Sequence, residues 1–283
     1  MSDKIYFSTS NKFSLKKAMV SAGTNLHHAI APAHARRTGK NLLLTPARLK
    51  PKHAQPAEMQ LGEVRSREGL LKTYRLGQGP VWLMTHGWSG SANQFFPLME
   101  LIAAQGFTAL AYDHPAHGES EGQHGHIPGF VDGLETILDE VDDLAGVIAH
   151  SMGTASALEC RHSKLDTVPM LLIAPVLNYV ENLFSSIERS GYSMRLFRAI
   201  VSEVEAQYQY RPLQSIDPFQ RLSLRQTPTI IVHDRQDKFT QFAISERAAQ
   251  QMPAVELVAT EGQGHGRVIN CPQVLESFKR LAG

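Results

Sequence analysis

Val147-Ile148-Ala149-His150-Ser151-Met152-Gly153 runs an apolar stretch straight into a serine flanked, two positions before and after, by small residues. Ala155 and Leu158 then follow at helical spacing. A strand that becomes a helix within one residue forces that residue into a strained backbone conformation. The chain then passes so close to itself that side chains two positions away must be small. Ala149 and Gly153 meet this requirement, Ala149 with one methyl group more than glycine. A serine held out on such a turn is a candidate nucleophile.

Working outward, the surrounding sequence alternates strands with helices. Short apolar runs at 81–85, 108–112, 147–149, 170–174, 229–232 and 255–258 have the continuous hydrophobicity of strands buried on both faces of a parallel sheet. Stretches 59–65 and 70–76 read as an antiparallel pair turning near 67–69. Between the runs, Phe95, Leu98, Met99, Ile102 and Ala103 keep helical spacing and Gly106 ends the turn. Phe130, Leu134, Ile137, Leu138 and Val141 do the same after Pro128, and Val274, Leu275, Phe278 and Leu281 mark a terminal helix. The pattern predicts a doubly wound α/β sheet. Residues 176–222 interrupt it with helix-like material rich in Phe, Tyr and Met. They are expected to form a small helical cap near the carboxyl ends of the strands, with part of its large apolar side chains facing the nucleophile. The expected organisation is therefore a basic N-terminal extension over 1–57, a core over 58–175 and 223–283, and a cap insertion over 176–222.

Charge is unevenly spread. The 283 residues carry 28 Lys or Arg and 27 Asp or Glu, so no global field attracts nucleic acid or an anionic membrane. Yet residues 1–57 hold ten Lys or Arg against the single acid Asp3. This segment reads as a solvated basic arm packing a few apolar residues on an acidic body. The alternative, an anchor for anionic lipid or RNA, lacks the aromatic–basic interleaving expected of it. The longest strongly apolar run, 168–177, is about half a membrane span and contains Pro169 and Pro175. Two cysteines, Cys160 and Cys271, make no disulfide framework or Cys-x-x-Cys pair. With no compact apolar core near the start, a cytoplasmic protein without integral membrane segments is expected.

Three further segments bring chemistry to the serine. Val81-Trp82-Leu83-Met84-Thr85-His86-Gly87-Trp88-Ser89-Gly90 is a strand followed by a glycine-bearing turn, which can aim backbone N–H groups at a developing oxyanion. Thr229-Ile230-Ile231-Val232-His233-Asp234-Arg235-Gln236-Asp237 places carboxylates just beyond a strand end, and Gly262-Gln263-Gly264-His265-Gly266 places a histidine on a loop. A serine hydroxyl needs a base at neutral pH, and an imidazole needs a carboxylate to fix its tautomer. The order Ser151, Asp237, His265 supplies all three.

With these segments the chain resembles the α/β-hydrolase-fold family over roughly 58–283. Tyr112-Asp113-His114-Pro115-Ala116-His117-Gly118-Glu119-Ser120 is similar to that family's Asp-x-x-Gly-His-Gly-x-Ser turn, with Ala116 in place of the first glycine. The resemblance implies a mostly parallel eight-stranded sheet with one antiparallel strand and no cofactor. It also implies Ser151 as nucleophile, Asp237 as acid, His265 as base, and the N–H groups of Trp88 and Met152 as oxyanion hole. Asp234 competes with Asp237 for the acid role; its shorter distance from the strand end favours Asp237. Asp113 reads as a tether of its turn. His150 is expected to point away from the pocket. His114, His117, His124 and His126 lack a recognised metal-ligand spacing. The expected activity is cleavage of a small-molecule carboxylic ester or thioester with a small to medium acyl group. Amide, lactone or carbon–carbon bond hydrolysis and a non-catalytic role for the fold are the alternatives.

Overall fold

The apolar runs of the sequence become the strands of one sheet. The computed structural model describes residues 14–283. Its strands are β1 (Gln60–Ser66), β2 (Gly69–Leu76), β3 (Val81–Thr85), β4 (Thr108–Tyr112), β5 (Leu144–His150), β6 (Met170–Ile173), β7 (Thr229–Asp234) and β8 (Val255–Thr260). The helices are α1 (Leu15–Ile30), α2 (Pro32–Leu44), α3 (Phe96–Ala103), α4 (Ile127–Asp139), α5 (Met152–Glu159) and α6 (Tyr179–Ser190). They continue with α7 (Met194–Tyr208), α8 (Pro218–Ser223), α9 (Phe242–Gln251), α10 (Gly264–Arg267) and α11 (Pro272–Ala282). Among the described residues no helix is long and apolar enough to cross a membrane.

The strands lie in the order β1-β2-β4-β3-β5-β6-β7-β8. Only β2 runs against its neighbours, pairing antiparallel with β1 and β4. The remaining pairs are parallel. This is the eight-stranded sheet with one antiparallel strand that the resemblance implies. Every residue of β3, β4, β6 and β7 is buried, because crossover helices cover both faces. On one face Trp82, Met84, Ala109, Ala111, Ile148 and Ile173 join α3 and α11 in a single apolar cluster. There Trp82 meets Phe278 edge-on at 4.9 Å. On the other, α4 packs on α5 and α5 on α8.

By its contacts the chain divides into two compact units. The sheet unit comprises Pro46–Leu177 and Pro218–Gly283; the second comprises the segment through Thr45 together with Asn178–Asp217. The sequence reading separated 1–57 from 176–222, whereas the contacts group most of these two segments together. Within the second unit, Ala35 and Leu43 of α2 share a buried cluster with Ile187, Tyr192, Leu196, Phe197 and Ile200. Phe184 packs edge-on against Phe197 at 5.3 Å. The sequence reading expects part of the large apolar side chains of 176–222 to face the nucleophile. Phe184, Tyr192, Met194 and Phe197 pack in this cluster, with Val20 and Leu44 of the N-terminal helices beside them. Helix α1 turns its polar side inward: Ser193 donates from its N–H to Thr24 Oγ1 (3.1 Å) and from Oγ to Asn25 Oδ1 (2.7 Å). Its apolar residues Leu15, Met19, Leu26 and Ile30 remain exposed.

Truncating a fully enclosed phenylalanine removes both its transfer free energy and its packing partners. Phe197→Ala should therefore destabilise the protein by about 3–5 kcal/mol in urea titrations. A loss below about 1 kcal/mol would contradict the burial seen here.

Candidate active site

The turn between β5 and α5 places Ser151 in the unusual conformation φ 55, ψ −122. Two close approaches hold it there. A Cβ on Gly153 would stand 2.4 Å from the Thr85 carbonyl oxygen, so only glycine lets α5 start against the end of β3. A Cβ on Gly87 would stand 2.7 Å from Ser151 Cβ, so the turn after β3 also lies against the serine. The Ser151 N–H donates to Ile173 O (3.0 Å), tying the strained residue to β6.

Ser151 Oγ lies 2.9 Å from His265 Nε2, and His265 Nδ1 lies 2.7 Å from Asp237 Oδ2. Facing a carboxylate, Nδ1 carries the proton, which leaves Nε2 free to accept from the serine hydroxyl. The side chain of Asp237 is fully buried. Its Oδ2 also accepts from Thr240 Oγ1 (2.8 Å) and His233 Nε2 (3.2 Å), while Oδ1 accepts from the N–H groups of Phe239 (2.7 Å) and Thr240 (3.1 Å). Burial alone would raise the carboxyl's pKa. The hydrogen bonds from His233 and His265 and the His265 charge outweigh it and hold the group well below the usual carboxylate range.

The competitor, Asp234, does something else. Its carboxylate accepts from Thr260 Oγ1 (2.9 Å), the Gln263 N–H (2.8 Å) and the Gln236 N–H (3.0 Å), thereby fixing the loop that carries His265. Asp113 ties its turn together, accepting from the N–H groups of Ala92 (2.7 Å) and Glu119 (2.8 Å). Of the histidines in that segment, His114 stacks on Phe130 at 3.7 Å, and His126 Nδ1 accepts from the Gly129 N–H at the start of α4.

Met152 opens α5, so its N–H has no acceptor within the helix. Trp88 sits in the turn pressed against Ser151, directly after Gly87. Both residues therefore adjoin the serine, Met152 in the chain and Trp88 through the turn at Gly87.

The structure differs from the sequence reading at His150 and adds His233, which that reading did not single out. His150 does not point away. Its Nε2 donates to the His265 carbonyl (3.0 Å), its ring lies 4.9 Å from the His265 ring, and Gln94 Nε2 donates to its Nδ1 (3.3 Å). Burial, helped by the neighbouring His265, pushes its pKa down to about 3, so it acts as a neutral strut beneath the histidine loop. His233, four residues before Asp237, bridges that carboxylate to Ser245 Oγ (2.8 Å). The available signal for His233 was its place at the end of a strand, one residue before the carboxylates.

A cavity of about 780 Å³ opens beside His265, walled by residues that include Ser89, Gln94, His150 and Phe239.

Known proteins place this geometry in context. A family model described as serine aminopeptidase, S33, matches residues 80–217. No curated protein matches the chain. An esterase of Pyrococcus furiosus is 20% identical, with a TM-score of 0.63 over 85% of this chain and 100% of its own. The thioesterase domain of the curacin biosynthetic pathway is 17% identical, TM-score 0.56, over 78% of this chain and 98% of its own. An esterase of Exiguobacterium antarcticum is 15% identical, TM-score 0.59, again over 78% and 98%. At these identities the likeness establishes the fold.

The carboxylates are separable by mutation. Asp237→Asn keeps the shape but offers His265 Nδ1 an amide, and should lower kcat for any substrate of this site by about 10⁴-fold. Asp234→Asn should lower thermal stability while costing kcat less than about tenfold, since Asp234 acts on the loop backbone. A larger kcat loss for Asp234→Asn than for Asp237→Asn would reverse the assignment.

Proposed function

The chain has the α/β-hydrolase fold, and we propose that it is a serine hydrolase cleaving a carboxylic ester or thioester of a small to medium acyl group. The observation that carries this reading is the continuous hydrogen-bonded line from Ser151 Oγ through His265 to the buried Asp237 carboxylate. As the Ser151 oxygen attacks the acyl carbon, His265 Nε2 takes its proton, and Asp237 stabilises the resulting imidazolium through Nδ1–H. The N–H groups of Trp88 and Met152 receive the negative charge of the tetrahedral intermediate. His265 then returns the proton to the departing alcohol or thiol. Water, deprotonated by the same nitrogen, attacks the acyl-enzyme and regenerates Ser151.

The aminopeptidase description of the matching family model raises amide cleavage as a second reading. Recognition of a free amino terminus calls for a carboxylate in the pocket. Among the described residues, none of those lining the cavity beside His265 is an aspartate or glutamate. This favours ester-like substrates over amino-terminal peptides.

Ser151→Ala should lower kcat by at least about 10⁴-fold on p-nitrophenyl esters from acetyl to octanoyl without changing the melting temperature beyond a degree or two. A fluorophosphonate probe should label the wild-type protein at Ser151 alone, read by peptide mass spectrometry. Labelling at another serine, or persistent turnover by the variant, would remove the nucleophile assignment.

A further inference from the structure

The excess of positive charge near the N-terminus has so far found no use at the site. Between the end of α2 and β1 the chain runs as an extended strap, and side chains and backbone pin that strap to the catalytic half of the sheet unit. The Ala47 N–H donates to Ser89 Oγ (2.9 Å), in the same turn as Trp88. Arg48 donates to the carbonyls of Gly118 and Ser120, both at 2.7 Å. Asn93 clamps the far end: its Oδ1 accepts from the N–H groups of Lys52 (2.7 Å) and His53 (3.1 Å), and its Nδ2 donates to His53 O (2.8 Å). A strap tied at four places fixes the backbone from which its side chains project. Those side chains include Lys50 and Lys52, both lining the cavity beside His265.

The opposite wall adds two more cations. Lys238 follows the acid Asp237 directly, and Arg267 stands two residues after the base, its guanidinium anchored by donating to Gly262 O (2.7 Å). Four Lys or Arg side chains thus line one cavity, and among the described residues no acidic side chain lines it with them. Like charges gathered in a cleft with low-dielectric walls raise the local concentration of counter-ions and speed their capture. A single carboxylate would answer one of these cations; a group with two or more negative charges and several acceptor oxygens answers the set.

His265 lies in the same wall. It is the group that hands the proton to the departing oxygen or sulfur, so the cavity lies on the leaving-group side of the scissile bond. We propose that the leaving group of the substrate is a phosphate-bearing alcohol or thiol, selected by Lys50, Lys52, Lys238 and Arg267. This rests on the hydrolase reading above and names its substrate class. The reaction itself is unchanged: water adds to the acyl group, and the phosphorylated alcohol or thiol leaves with one proton, its phosphate intact.

Matched substrate pairs test it. Butyryl-coenzyme A is compared with butyryl-N-acetylcysteamine, and 1-butyrylglycerol 3-phosphate with 1-butyrylglycerol, using full-length protein. At about 20 mM ionic strength the phosphorylated member of at least one pair should have a kcat/KM roughly tenfold or more above its neutral counterpart, carried mainly by KM. Which pair responds tells a thiol from an alcohol. The ratio should shrink toward one at about 0.5 M salt, where the screening length is ~4 Å. It should also collapse in Lys50→Glu/Lys52→Glu and in Lys238→Glu. Ratios near one for both pairs at low salt, with the neutral members turned over, would overturn the proposal and leave the hydrolase reading standing. Binding of coenzyme A and glycerol 3-phosphate to Ser151→Ala, measured by calorimetry, is independent of turnover. Salt-sensitive binding of either, without turnover of any ester, would uphold the charge selection and remove the hydrolase reading. No binding and no turnover would remove both.

Discussion

The approach of the β5–α5 turn to the end of β3 is the constraint on which the site depends. Gly153 lets the first turn of α5 rest almost on the Thr85 carbonyl, and this contact leaves Ser151 no relaxed backbone conformation. A non-glycine residue held at such angles costs of order 1–3 kcal/mol and persists only where its surroundings over-determine it. Here they do. The Ser151 N–H is bound to β6, its carbonyl accepts from the N–H and hydroxyl of Thr154, and Gly87 closes in from the front. The same contact brings the N–H of Met152, unused at the head of a helix, beside the turn that holds Trp88. The strained serine and the helix start beside it are therefore consequences of one packing arrangement.

A second constraint concerns charge. Burying the Asp237 side chain is costly unless its oxygens are fully engaged. His265, His233, Thr240 and the backbone at 239 and 240 engage them. The carboxylate stays ionised, and an ionised carboxylate is what keeps the proton on His265 Nδ1. The loop bearing His265 is fixed separately, by Asp234 from one side and by His150 from the other. Orientation of the imidazole ring and placement of its backbone are thus secured by different residues.

Local chemistry was the legible part of the sequence. Strands β3 and β4 were readable to the residue, because continuous apolar runs between turn signals leave few other interpretations. The smallness of Ala149 and Gly153 marked the turn at Ser151, and the order serine, acid, histidine picked out three side chains that lie in one hydrogen-bonded line. Ala116 was visible as a departure from the family's glycine, and the structure holds it at φ 67, in the left-handed region that favours glycine. What could not be read was non-local. The direction of the His150 ring depends on where the His265 carbonyl and Gln94 lie, 115 and 56 residues away. The association of residues 15–44 with 178–217 was hidden for a different reason. Helix α1 packs through Thr24 and Asn25 and leaves its leucines outside, so its hydrophobic face gives the wrong inward side.

The basic N-terminal segment shows how a compositional signal dissolves into separate physical roles once partners are known. Arg36 and Lys40 share Glu203 within their own unit, and neither is free for an outside ligand. Arg48 is committed to two backbone carbonyls. Lys50 and Lys52 differ from all three: the strap that carries them is hydrogen-bonded to the sheet unit, and both residues line a cavity without acids. Net charge summed over 1–57 is therefore a poor guide to this segment. What the segment brings to the cavity beside His265 is two lysines on a tethered strap, which line it together with Lys238 and Arg267 from the loops of Asp237 and His265, 186 to 217 positions further along the sequence.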